Sequence, residues 1–258
     1  MSHIPEWLTG IPIAHRGLHD PSRGVIENSL PALWTAARSG LPAELDVRLL
    51  ADGEVVVFHD RTLDRLTDAR GPIAALSASE LRRVALSGAR ADDPRPDDAR
   101  IPLLRDVLDV IAGATPLLIE VKNEGEVGAL EDAVASLLAD YGGAYAVQSF
   151  HPGTVAYWRD HAPGVPRGLL SGDFRDDRID DAMRLRLRNL EFMDACAPDF
   201  IGYDIRLLPA APVSRARAAG TPVLGWTARS HDEAERALEH CDNVIFEGFD
   251  PSTLRGKK

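Results

Sequence analysis

Cysteine is scarce, base is outnumbered by acid, and no long apolar run is present. Two cysteines, Cys196 and Cys241, stand among 258 residues. That excludes a disulfide framework and leads us to expect a reduced, cytoplasmic protein. Lys and Arg number 29 against 40 Asp and Glu, a net charge of -11. No basic field is there to steer a nucleic-acid backbone, so nucleic acid is not the expected partner. No apolar stretch approaches the roughly 18 residues that cross a bilayer, so stable membrane insertion is not expected. The opening MSHIPEWLTGIPIAH has neither a basic region nor an apolar core, and no signal peptide is expected. A glycine-rich phosphate loop is also missing. The first apolar strand runs into HRGLHD, not GxGxxG, which argues against a doubly wound open sheet.

What is there begins with residues 43–60, AELDVRLLADGEVVVFHD. Asp52-Gly53 between two apolar runs predicts a hairpin. Strand side chains alternate, so Glu44 and Asp46 face the same way. Two acids on a buried strand are costly unless a cation or donors pair with them. The return strand ends at His59-Asp60, where the hairpin can bring His59 back beside the acids.

From Pro102 onward, short apolar strands alternate with amphipathic helices, which predicts parallel βαβ units. HRG, ELDV, EVK, QSF, GLLSG, GYD, GWTA and VIFEG mark eight parallel strands, with VVVFHD as an extra. Eight such units fill about 250 residues in a (β/α)₈ TIM barrel. Hydrophobic residues make up 45% of the chain, enough for a sizeable core. We expect a single domain over 1–258, with an insertion after the second strand at 61–101, where the alternation breaks. Within that insertion, Ser77 and Glu80 resemble a capping box, and ADDPRPDDA reads as an exposed loop. A helix is expected across about 177–194.

Barrel active sites lie at the carboxyl ends of the strands. His15-Arg16 ends the first strand, Glu120 and Lys122 the third, and Gln148-Ser149-Phe150 the fourth. Tyr203-Asp204 and Trp226-Thr227 end the sixth and seventh. Glu44, Asp46 and Glu120 offer an all-oxygen set suited to Mg²⁺ or Ca²⁺, or alternatively a structural ion pair of Glu120 with Lys122 or Arg16. His15 and His59 suit general acid–base work. Arg16 offers a planar fork for phosphate. Phe150 and Trp226 are expected as apolar core or pocket wall. Glu27-Asn28 reads equally as a helix cap or as part of the site. His19 and His151 have no partner that spacing names.

HRG, EN[S/T], ELDV, DG–VVVFHD and LIEVK, in that order, resemble the glycerophosphodiester phosphodiesterase family. The likeness continues through DRTLDRLT, GPIAAL and IPLLRDVL, dense over 11–125 and looser through QSF and GWT. It implies a barrel with a small insertion, a divalent cation on Glu44, Asp46 and Glu120, and His15 and His59 as the acid–base pair. It places Arg16 on the phosphate and Lys122 beside the metal; Phe150 and Trp226, as pocket wall, are our own expected substrate contacts. The implied reaction cleaves a glycerophosphodiester to glycerol 3-phosphate and an alcohol, through attack by the glycerol 2-hydroxyl and then by water. Two positions depart from the pattern: WTAR puts Arg229 where the family usually has Asn, and the last strand ends in Phe246-Glu247 rather than near Thr-Asp. A barrel phospholipase of C or D type would need an apolar rim or basic lip, and an inactive binding barrel would need a broken catalytic set.

Overall fold

The computed structural model describes residues 4–88, 100–123, 125–174 and 179–254. Its strands are β1 (Ile13–Ala14), β2 (Ala43–Leu49), β3 (Val55–Val57), β4 (Leu117–Val121), β5 (Tyr145–Ser149), β6 (Arg167–Ser171), β7 (Phe200–Asp204), β8 (Val223–Ala228) and β9 (Asn243–Phe246). The helices are α1 (Glu6–Gly10), α2 (Leu30–Arg38), α3 (Ala78–Leu81), α4 (Leu104–Ile111), α5 (Ala129–Leu138), α6 (Pro152–His161), α7 (Asp181–Arg188), α8 (Met193–Cys196), α9 (Ala211–Ala218) and α10 (His231–Leu238). Strand order is β1-β9-β8-β7-β6-β5-β4-β2-β3, with β1 also paired to β2. This is the (β/α)₈ barrel, and β3 is the extra strand, antiparallel to β2. Among the described residues no helix is long and apolar enough to cross a membrane.

The chain forms two compact units, Ala14–Tyr145 and Met1–Ile13 with Ala146–Lys258. In the first, β2 pairs with β1 and β4 in parallel and with β3 in antiparallel register. Alternation does not sort β2 into a wet and a dry face, because its first five residues are all buried. That is the signature of a strand covered on both sides. Residues after β3 build a satellite core of their own, in which Leu63, Ile73, Leu81 and Leu86 pack with Phe58 and Ile101. Ser77 and Glu80 form the expected capping box at α3. ADDPRPDDA lies outside the described residues.

In the second unit, β5 to β9 run parallel, and the packed residues of α6, α8 and α9 close over β6, β7 and β8. Cys196 and Cys241 are buried there, neither in a disulfide. Within the described part of 177–194, the chain forms two helices rather than one. Asn189 ends α7, and Leu190 turns into the left-handed region at φ 60 before α8 starts. Leu190 is buried in the core at that turn, so packing fixes a break that carries no glycine or proline signal. The short α1 has no counterpart in the sequence reading.

Candidate active site

In the unit Ala14–Tyr145, three carboxylates gather because of strand register. Glu44 and Asp46 project from the same side of β2, and Asp46 lies opposite Glu120 of β4. Their ligand oxygens all fall within 4.8 Å of one another, and all three residues are buried. Burial, then the charges of Asp46 and Glu120, push the Glu44 carboxyl well above its usual range. Burial also opposes charge on Asp46. There Lys122, Arg16, His59 and a bond from Asn28 outweigh it, and the carboxyl stays far below the usual range.

The HRG segment delivers cations to this cluster. Arg16 and Asn28 both occupy the left-handed region, at φ 54 and 57. Non-glycine residues held there are strained, and such strain gathers at functional sites. Gly17 makes the turn possible. A Cβ on it would sit 2.7 Å from the Ala32 backbone, and its φ is +78. The Arg16 amide donates to Glu44 Oε2 at 2.9 Å, and Arg16 Nε lies 3.3 Å from Asp46 Oδ2. Lys122 Nζ is 3.1 Å from Asp46 Oδ1 and also donates to Glu120. Glu120 therefore does pair with Lys122, as the ion-pair alternative required, and it lies in the cluster as well.

Asn28 is bonded into the carboxylate cluster, and Ser29 caps α2 instead. Asn28 Nδ2 donates to Asp46 Oδ2 at 2.8 Å, and the Asp46 amide donates back to Asn28 Oδ1 at 3.1 Å. Glu27 accepts from Arg16 Nη1. Burial opposes its charge, but Arg65 and Arg16 hold its carboxyl down at about 2.

His59 follows β3, where Phe58 N donates to Asp46 O at 2.9 Å. Its Nδ1 lies 2.7 Å from Asp60 Oδ1. Despite partial burial, Asp60 is held well below the usual carboxylate range by His59 and Arg65. An ionised carboxylate only accepts, so the contact with Asp60 is made by Nδ1–H. His15 and His19 bring ring nitrogens within 4.8 Å of each other, so His19 has the neighbour that spacing did not name.

Phe150 and Trp226 belong to the other unit, where their rings meet edge to face at 5.4 Å. Phe174 adds a second edge contact to Phe150 at 5.7 Å. Space for the indole comes from Gly172, where a Cβ would lie 3.0 Å from Trp226 Cη2. The two departures from the family pattern find each other in this unit. Arg229 Nε donates to Glu247 Oε1 at 2.8 Å.

The donor set fits a hard divalent cation. It is all oxygen, it is spaced for one ion, and Asp46 Oδ1 is buried without a well-formed hydrogen bond despite the nearby Lys122. Three like charges repel in a dry setting, and a bound cation would relieve that repulsion. Asp60 and Arg65 were missed as site residues. Both lie in DRTLDRLT, a segment whose likeness assigned them no role.

A family model described as the glycerophosphoryl diester phosphodiesterase family matches residues 15–246. A glycerophosphodiester phosphodiesterase from Caldanaerobacter subterraneus subsp. tengcongensis is 27% identical over 94% of this chain and 95% of its own length. Human glycerophosphodiester phosphodiesterase 1 is 31% identical over 88% of this chain and 74% of that protein. A match to a Bacillus subtilis relative is shorter, 62% of this chain and 65% of that protein at 32% identity. In fold, the chain is similar to an Oleispira antarctica phosphodiesterase solved in complex with the product sn-glycerol-3-phosphate. The TM-score is 0.76 at 24% identity, over 93% of each chain.

Proposed function

We propose that this chain, which belongs to the glycerophosphoryl diester phosphodiesterase family, hydrolyses small glycerophosphodiesters to glycerol 3-phosphate and an alcohol. It works as one domain over 1–258, with 61–101 as an insertion. The observation that carries the reading is the buried trio Glu44, Asp46 and Glu120 with Arg16 and Lys122 at its edge. Similarity to the Oleispira enzyme, which holds glycerol 3-phosphate, supports the product assignment.

Glu44, Asp46 and Glu120 hold Mg²⁺ or Ca²⁺. When bound, the cation draws charge from the phosphodiester oxygens. Arg16 and Lys122 add fixed positive charge beside it, preorganised by Glu27, Asp46 and Glu120 rather than recruited during the reaction. Of His15 and His59, one accepts the proton of the attacking hydroxyl and the other protonates the leaving alcohol. Asp60 fixes the His59 ring so that Nε2 does this work. Phe150 and Trp226 provide the apolar wall for the substrate carbons. The excess of acid and the absence of a long apolar helix among the described residues favour small water-borne diesters over a lipid surface. Two cysteines outside any disulfide support work in the cytoplasm.

The test is release of glycerol 3-phosphate from glycerophosphocholine with added Mg²⁺ or Ca²⁺ and with excess chelator. Turnover that needs the ion supports the reading. No turnover under any metal, or full turnover in chelator, overturns it.

A further inference from the structure

Arg65 makes four directed bonds that the reaction outlined above does not use. It lies in the insertion, and its guanidinium reaches two carboxylates at once. Nη1 and Nη2 donate to Glu27 Oε2 and Oε1, both at 2.8 Å. Nε and Nη2 donate to Asp60 Oδ2 at 2.7 Å and Oδ1 at 2.9 Å. Each carboxylate in turn holds one group assigned to the chemistry. Glu27 accepts from Arg16, and Asp60 accepts from His59 Nδ1.

We propose that Arg65 is a positioning residue: it locks Glu27 to Asp60, and so holds the Arg16 guanidinium and the His59 imidazole in one fixed arrangement set by the insertion. This rests on the reading that Arg16 and His59 act on the phosphodiester. The clamp also contributes to folding, since Glu27 and Asp60 are only 13% and 21% exposed beneath the 47%-exposed Arg65, but its bonds reach both groups assigned to the chemistry at once. Fixing one long side chain in four bonds is useful where orientation matters, because an error of about 1 Å in a reacting group can cost on the order of 10²-fold in rate.

The backbone beneath Arg65 is fit for that purpose. Leu63 is buried in the satellite core, and Leu66 packs against it. Thr67 donates its hydroxyl to Leu63 O at 2.8 Å, and the Ser87 amide donates to Leu66 O at 2.7 Å. A guanidinium suits the task because its planar fork can serve two carboxylates in parallel, whereas a lysine ammonium is a single rotating point charge.

The experiment uses the full chain loaded with Mg²⁺ and compares wild type, Arg65→Ala, Arg65→Lys and the control Arg105→Ala. Arg105 makes a comparable half-exposed pair with Glu54 at 2.8 Å. Two quantities are read: kcat and KM on glycerophosphocholine, and the ¹⁵N signals of the His59 ring, assigned by their loss in His59→Ala. We expect Arg65→Ala to lower kcat about 10- to 100-fold with KM within about threefold, following the cost of a misplaced group. The His59 ring should pass from one tautomer to a mixture. Arg65→Lys should recover part of the rate and not all of it. Arg105→Ala should match wild type in both readouts.

Unchanged His59 signals in Arg65→Ala, or a kcat no lower than that of Arg105→Ala, would overturn the proposal. If Arg65→Ala does not fold, Arg65→Lys decides: a full rate with wild-type ring signals overturns the clamp. Inactive wild type would refute the phosphodiesterase reading, while the ring signals would still report on Arg65.

Discussion

In Ala14–Tyr145 the polar centre is held by charge. Glu44, Asp46, Glu120, Arg16, Lys122 and Glu27 are each fixed by a partner of opposite sign or by register, and few could change without stranding another. In the unit that includes Ala146–Lys258, the expected substrate contacts are held by packing. Phe150, Phe174 and Trp226 meet edge to face, and Gly172 leaves room for the indole. A charged centre loses a whole function when one member goes, because a buried charge left unpaired is expensive. An aromatic wall loses contact area gradually. The difference separates chemistry from fit.

The sharpest break in that comparison comes from the histidines. A general acid–base step contributes about 10²–10⁴-fold. His15→Ala and His59→Ala should each lower kcat by at least that order with the metal still bound, and the double variant should be little worse than the poorer single one. Steady-state kinetics with a calorimetric metal titration as control checks this.

Next comes the acid side of stability. Glu27 drops from 4.5 to about 2 in the folded protein. A depressed carboxyl stabilises the fold above its unfolded value, and that contribution is lost as pH falls from about 4.5 toward 2. Full loss amounts to about 3 kcal/mol. Urea unfolding of wild type and Glu27→Gln should therefore differ at pH 7, with the gap narrowing below about pH 4.5 and closing only near pH 2. A gap that does not narrow with acid would contradict it.

The aromatic wall should give less. Phe150→Ala removes two edge contacts, worth about 0.5–1.5 kcal/mol each. Its main kinetic effect should be a KM raised by about tenfold with kcat within about threefold. A kcat loss as large as that of His59→Ala would erase the distinction between the two units.

Smallest is the Arg229–Glu247 pair. With Arg229 59% exposed, its removal should cost no more than about 1 kcal/mol of stability. A double-mutant cycle in thermal melts measures it, and coupling well above that value would mark the pair as more than a surface contact.

How far the molecule could be read from its sequence follows the same division. The carboxylate trio was legible because alternation on β2 and the β2–β4 register leave few other arrangements. The eight βαβ units were legible from periodicity. Asn28 stayed open between cap and site because Asx before a helix is the ordinary cap pattern; Ser29 takes the cap and frees Asn28 for Asp46. Arg65 was hidden because its bonds to Glu27, 38 residues earlier, depend on where the chain returns, which spacing does not encode. The break between α7 and α8 was hidden because burial of Leu190, rather than a glycine, makes it.

If Glu44, Asp46 and Glu120 form one divalent-ion site on which hydrolysis depends, ion binding and turnover must fall together. The most direct measurement is calorimetric titration of Mg²⁺ and Ca²⁺ into wild type and into Glu44→Gln, beside glycerol 3-phosphate release from glycerophosphocholine by the same samples. One ion per wild-type chain, weaker binding in Glu44→Gln, and turnover that rises with occupancy in both are expected. Full turnover by metal-stripped protein in excess chelator, or equal ion affinity in the two proteins, would contradict it.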